Sequence, residues 1–348
     1  MIELRENELV FGFPEVHERA VFRIDFQRTL RVPDDGHEYP LPAGLGSFPL
    51  EHVDDFPRSV PAAWLSRGGV MLPMHQAEAL WLNFDTGRYP FAVKVAAGKI
   101  NAVTGELWST SLVSGPSPSG RAARRGTTRA MQDYLVLPEQ PWLDGFNVGE
   151  GRIRQFVAMP LGDGYSAEEQ VTGRAEYGGL QILAYPMKAA AYANLTAEPV
   201  PYGEPVFDGA PEMMVGCAAP PDMGLGLGGL MHQEIAADEY GVDVWDLDHP
   251  ARCFVHLADA GSWQSITGAE PPTAAPTPGH YRAAGIPWFD YRMAGPHVPG
   301  SPTLAALASV AELVEAERGE LADNESIPVD RVVRVQSRER GATVREFE

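Results

Sequence analysis

Residues 21–33 read VFRIDFQRTLRVP, and their apolar side chains fall on alternate positions. Phe22, Ile24, Phe26, Leu30 and Val32 take the even numbers, while Arg23, Asp25, Gln27, Thr29 and Arg31 take the odd ones. Successive side chains of a strand point to opposite faces, so a period of two sustained over eleven residues predicts a long, half-buried strand. Asp34-Asp35-Gly36 closes it with turn chemistry.

The rest of the chain repeats this theme in shorter form. Phe91–Val95, Tyr134–Leu137, Ile153–Met159, Leu180–Ala184 and Phe254–Leu257 are apolar runs that lie near Gly, Pro or Asp. With 36 Gly and 31 Pro, the 348-residue chain carries more punctuation than a helical bundle tolerates. The expected fold is therefore mainly β, a sandwich- or barrel-like body. Helices are few. Ser166 and Glu169 have capping-box spacing, and Ser301-Pro302 opens an amphipathic segment that reads as one helix up to Gly319. A last strand, Ile327–Val335, is expected after it.

Two stretches resemble each other. Residues 68–106 and 228–270 share, in order, Gly-Gly, Met-His-Gln, Trp, a Phe opening an apolar segment, Ala-Gly and Thr-Gly. Phe91 to Gly98 and Phe254 to Gly261 are both seven-residue steps, and Phe91 to Thr104 and Phe254 to Thr267 are both thirteen. Self-similarity in fixed order marks repeated supersecondary units. It predicts two duplicated β-rich halves, 1–196 and 197–300, followed by a helix and strand over 301–348. The Gly/Pro-broken stretch 197–229 reads as the loop between halves. Residues 109–129, rich in Ser, Gly, Pro and Arg, read as a mobile loop, and 271–279 as a polyproline-like link.

The blocks QDYLVLPEQPWLDGF (132–146), IRQFVAMPLGDGYSAEEQVTG (153–173), GGLQILAYPMK (178–188) and GIPWFDYR (285–292) are similar to an uncharacterised protein family found in bacteria and fungi. The likeness covers roughly 30–295. It implies one evolutionary unit over that span and transfers no catalytic residue.

Known chemical motifs are missing or out of context. Gly224-x-Gly226-x-x-Gly229 has dinucleotide spacing, but AAPPDM precedes it where a buried strand is required, so it reads as a flexible glycine turn. There is no Gly-x-Ser-x-Gly elbow, no His-Glu-x-x-His and no phosphate-binding loop. Cys217 and Cys253 are too few for a disulfide framework, and Cys253 reads as core. The best chemical lead is histidine. His75 and His232 occupy matching Met-His-Gln positions, and His256 and Asp259 lie on the second copy's strand and the turn after it. Two imidazoles and a carboxylate could hold zinc or iron. The plainer alternative is that each histidine caps its own turn. Trp81, Trp245, Trp263 and Trp288 read as core or rim anchors.

A formal charge of −20 argues against a surface for nucleic acid or anionic lipid, which rewards a basic stripe. The start of the sequence lacks a secretory pattern, and no window holds the roughly 18 apolar residues of a spanning helix. The sequence thus predicts a cytoplasmic, non-enzymatic binding or assembly protein without cofactor, acting on an unidentified protein or on itself. The rival expectation is a hydrolase or lyase with a His/carboxylate site, holding zinc or iron, between the two halves.

Overall fold

The alternating segment forms β3 (Val21–Thr29), with Phe22, Ile24 and Phe26 fully buried. In the computed structural model, which describes residues 1–113, 132–196, 222–292, 295–329 and 331–336, this strand lies inside a ten-stranded sheet. Its neighbours along the main path are β1 (Ile2–Arg5), β2 (Glu8–Gly12), β9 (Ala79–Asp85), β15 (Arg152–Pro160), β17 (Met223–His232) and β4 (Glu38–Tyr39), in the order β1-β2-β3-β9-β15-β17-β4. Short strands β6 (Gly44–Ser47), β13 (Trp142–Leu143) and β14 (Gly145–Gly149) pair at its sides.

A seven-stranded sheet faces it. It contains β7 (Glu51–His52), β8 (Val70–Met74), β10 (Phe91–Ala97), β11 (Ile100–Asn101), β12 (Leu135–Leu137), β16 (Leu180–Pro186) and β18 (Ala251–Asp259), in the order β11-β10-β16-β18-β8-β7 with β12 on β10. The two sheets share one core, to which Phe22, Leu82, Phe156 and Leu225 contribute from the first and Phe91, Val93, Ile182 and Val255 from the second. A third, small sheet joins β5 (Leu41–Pro42), β19 (Trp288–Arg292) and β20 (Val332–Gln336). The body is thus mainly β and sandwich-like, and it does not close into a barrel. All five short runs read from the sequence are strands. Among the described residues no helix is long and apolar enough to cross a membrane.

Strand β17 corrects the reading of 197–229 as a loop. Residues 197–221 lie outside the described residues, but MGLGLGGLMH is a ten-residue strand paired to β15. Gly224, Gly226 and Gly228 alternate with Leu225 and Leu227 before Gly229 breaks the period. Leu225 and Leu227 enter the core, while Gly224 and Gly226 keep the opposite face bare. A Cβ on Gly226 would lie 2.6 Å from Val310 Cγ2 and 2.7 Å from the Tyr165 carbonyl, so only glycine lets those neighbours approach. The glycine spacing is a packing device within a strand, not a turn.

The segments expected as halves, 1–196 and 197–300, share both sheets: β17 lies beside β15, and β18 beside β16 and β8. The matched segments 68–106 and 228–270 occupy different places. Met74-His75 follows β8 of the seven-stranded sheet, whereas Met231-His232 ends β17 of the ten-stranded one. Phe91 and Phe254 are not equivalent either. β10 and β18 flank β16 on opposite sides, both antiparallel to it, but Leu183 is opposed by Lys94 on one side and Arg252 on the other. Phe91 packs in the core, while Phe254 stacks with Tyr177 and receives the Arg252 guanidinium. After the strand the first copy turns into β11, and the second continues as helix α4 (Ala260–Thr267).

The remaining helices are α1 (Ala62–Arg67), α2 (Ala167–Thr172), α3 (Ala189–Thr196), α5 (Pro278–Ala284), α6 (Pro302–Ala305) and α7 (Val310–Arg318). The capping box of Ser166 and Glu169 is present at α2. The single helix expected after Ser301 is two. Gln170 holds Ala308 by both its backbone groups, Nε2 to the carbonyl at 3.0 Å and Oε1 from the amide at 2.9 Å, and a new capping box between Ser309 and Glu312 starts α7. The last strand is shorter than expected, beginning at Val332.

Candidate functional site

The four residues proposed as metal ligands have separate partners. His75 Nε2 lies 3.1 Å from the carbonyls of Pro272 and Thr273, so it ties the polyproline-like link to the body instead of capping its own turn. His232 Nδ1 faces Glu38 at 3.2 Å. His256 Nε2 meets the Gly68 carbonyl at 3.0 Å, and its ring stacks on Trp64 with centroids 4.7 Å apart. Burial lowers its pKa to about 4 despite the Gly68 carbonyl, which keeps the ring neutral. Asp259 caps α4 by accepting from the Ser262 amide at 3.2 Å. Among the described residues no group of three or more His, Cys, Asp or Glu side chains is arranged to hold a metal ion.

The neighbours of His256 lead to a different feature. On β18, Cys253, Val255 and Leu257 point into the core, so Arg252, Phe254 and His256 lie on the outer face of the seven-stranded sheet. One end of that face is covered. Trp64 of α1 and Trp263 of α4 pack with Met71 and Ala258 there. Along the rest runs a row of rings and cations. Phe254 stacks nearly parallel to His256 at 6.0 Å and to Tyr177 at 6.3 Å. The Arg252 guanidinium lies over Phe254 at 4.7 Å and over Trp108 at 5.5 Å, and Lys94 Nζ lies 5.7 Å from the Trp108 ring. Arg67 and Lys99 stand over Tyr177 at 4.2 and 5.0 Å. A cation over an aromatic face is attracted by the ring quadrupole, and most strongly by tryptophan.

These cations differ in how they are neutralised. Lys94 is buried and paired to Asp133, and Lys99 is paired to Glu176. Arg67 donates to the Glu176 carbonyl at 2.8 Å. Arg252 is exposed, donates to Gln181 Oε1, and has no carboxylate partner among the described residues. Partial desolvation between the rings lowers its pKa, though it stays an arginine and remains charged. Leu107, 61% exposed, flanks Trp108 in the sequence.

Buried acids accompany this face. Glu168 Oε2 accepts from the Tyr177 and Gly178 amides at 3.0 Å each, which fixes the turn that carries Tyr177. Asp222 lies close by, and burial raises its pKa to about 6, with Glu168 adding to the rise and the Trp64 indole and Arg67 opposing it. Elsewhere Arg28 donates from Nε and Nη2 to Glu78 Oε1 at 2.8 and 2.6 Å, and its other bonds hold Thr273 and Ala274. Sequence reasoning passed over Lys94 and Arg28. The signal was there: Lys94 interrupts the apolar run FAVKVAA, and Arg28 takes an even, core-facing position in β3. A charge within an apolar face needs a buried partner. Comparison of the chain with protein-family models, with curated proteins and with solved structures finds no match.

Proposed function

We propose that this chain is a cytoplasmic, non-catalytic binding protein that holds a protein partner on the open end of the outer face of its seven-stranded sheet. The observation that supports this reading is the row Trp108–Arg252–Phe254–Tyr177, in which cations stand over half-buried rings and Arg252 is exposed. Tyr, Trp and Arg are the residue types that concentrate binding energy at protein interfaces, because they bury large areas and still offer polar contacts. The row is also preorganised: Gln181 fixes the guanidinium and Glu168 fixes the Tyr177 turn, so little ordering remains to be done on binding. A charge of −20 opposes nucleic acid and anionic lipid as partners.

The test is site-specific photo-cross-linking. A photoreactive phenylalanine analogue replacing Leu107 should give a discrete adduct in extracts of the source cells, competed by unmodified protein and lost in Trp108→Ala. The same analogue at Glu6, on the turn between β1 and β2, should give none. Equal labelling from both positions would remove the basis for this assignment.

A further inference from the structure

The contact that recognises the partner can be named from the charges of the row, on the reading just given that this face is the binding surface. We propose that Arg252 is the anchor of a carboxylate-recognition site, and that the partner presents a single carboxylate beside an apolar side chain.

Arg252 is held like a ligand-binding group, not like a structural one. Its guanidinium lies over both the Trp108 and the Phe254 rings, and Gln181 Oε1 takes one edge of the fork through Nη2. Gln181 is itself buried and anchored by its Nε2 to the Gly98 carbonyl. The planar fork is therefore fixed in rotation with part of its donor set unspent. Of the neighbouring cations, Lys94 is paired with Asp133 and Lys99 with Glu176, and the half-buried Arg67 spends a donor on the Glu176 carbonyl, while the exposed Arg252 meets no carboxylate among the described residues. An arginine fork that keeps donors free can take a carboxylate through two parallel N–H···O bonds.

The chain's overall charge narrows the choice further. A partner with a run of acids would approach a molecule of charge −20 against long-range repulsion. One carboxylate in an otherwise neutral segment avoids this, because screening confines a single pair to roughly 8 Å at physiological salt. The surroundings supply the apolar half of the match, from the Trp108 and Phe254 rings and from Leu107, 61% exposed next to Trp108 in the chain. The carboxylate can be a side chain or a chain end, since both present the same group.

Peptide titration of the full chain, read by the Trp108 indole resonance in 1H–15N spectra and assigned through Trp108→Phe, tests the idea. The probes are acetyl-leucyl-glutamate methylamide, its glutamine counterpart, and acetyl-leucine with a free chain end. The glutamate peptide should bind at least about tenfold more tightly than the glutamine one, the loss expected when a charged hydrogen-bond pair is removed. Arg252→Gln should erase that difference, Arg252→Lys should keep part of it, and Arg5→Gln on the other sheet should change nothing. Because Arg252 is exposed, its variants should melt with the parent protein. Stronger binding of acetyl-leucine than of the glutamate peptide places the carboxylate at a chain end and supports the site equally. Equal binding of the glutamate and glutamine peptides, with acetyl-leucine binding no more tightly than either, overturns the carboxylate assignment while leaving the face itself to the cross-linking result. No shift with any probe overturns it too, and a Leu107 adduct would then show that the face binds by other means.

Discussion

Lys94 Nζ lies 2.7 Å from Asp133 Oδ2, and the two side chains are 1% and 7% exposed. The same ammonium donates to Ser111 O at 2.6 Å and to Ser109 Oγ at 3.2 Å, so all three of its protons are used. Asp133 returns its other oxygen to the Val113 amide at 2.9 Å. A lysine from β10 thus clasps residues 109–113 and 132–134 together at the base of the segment between them.

Removing one member of this pair leaves a buried charge without its counterpart. Asp133→Ala should therefore cost about 3–5 kcal/mol. The double change Lys94→Met with Asp133→Leu should cost much less, because both desolvation penalties disappear together. Thermal or urea unfolding of the two variants checks this. A double variant as unstable as Asp133→Ala would mean that the clasp contributes through its hydrogen bonds to the 109–113 backbone, not through the ion pair.

A second consequence concerns Asp144, which is 1% exposed and whose two carboxylate oxygens meet no donor among the described residues. Burial raises its pKa to about 8 from 3.8, and the neighbouring Trp142 indole offsets this in part without reaching hydrogen-bond geometry. Between these two values the folded protein keeps a proton that the unfolded chain has lost. Stability from this group is therefore highest below pH 4, falls as pH rises to 8, and levels off above. Each pH unit in the window is worth at most about 1.4 kcal/mol. Asp144→Leu should raise stability at pH 7 by about 2 kcal/mol or more, and the gain should shrink towards pH 4. Urea unfolding at pH 4.5 and 7.5 measures the difference. A gain that does not change with pH would mean that Asp144 is ionised in the folded as well as the unfolded state across this range.

The glycine strand gives a third. Gly226→Ala places a methyl 2.6 Å from Val310 Cγ2 and 2.7 Å from the Tyr165 carbonyl, whose backbone cannot step aside cheaply. We expect a loss of about 1–3 kcal/mol from overpacking. Gly279→Ala, in α5, meets nothing closer than 3.6 Å and should be neutral or slightly stabilising. Melting temperatures of the two variants, compared with the parent, check both expectations.

The sequence by itself determined the strands that carry their own period. Phe22, Ile24 and Phe26 alternate because one face of β3 meets the core, and that local rule needs no knowledge of the partner sheet, whereas Leu30 and Val32 lie beyond the strand in a separate cluster. The capping boxes are legible for the same reason, since Ser166 and Glu169 satisfy each other within four residues. Ser309 and Glu312 form the same motif, but reading the apolar spacing on either side of it as one helix concealed the break that Gln170 enforces from a distant element.

Only the tertiary structure decided the rest. MGLGLGG is a strand because α2 and α7 approach its bare face, and composition alone makes such glycines look like a turn. The similarity of 68–106 to 228–270 gave His75 and His232 matching positions in sequence, yet the chain sends one into each sheet's surroundings, where Thr273 and Glu38 receive them. The row on the outer face has no linear signature, because Trp108, Tyr177 and Phe254 come from separate parts of the chain. Strand alternation fixes which way Phe254 points. Sheet order, which depends on long-range pairing and not on any local period, decides that Tyr177 meets it there and that Trp108 meets the neighbouring Arg252.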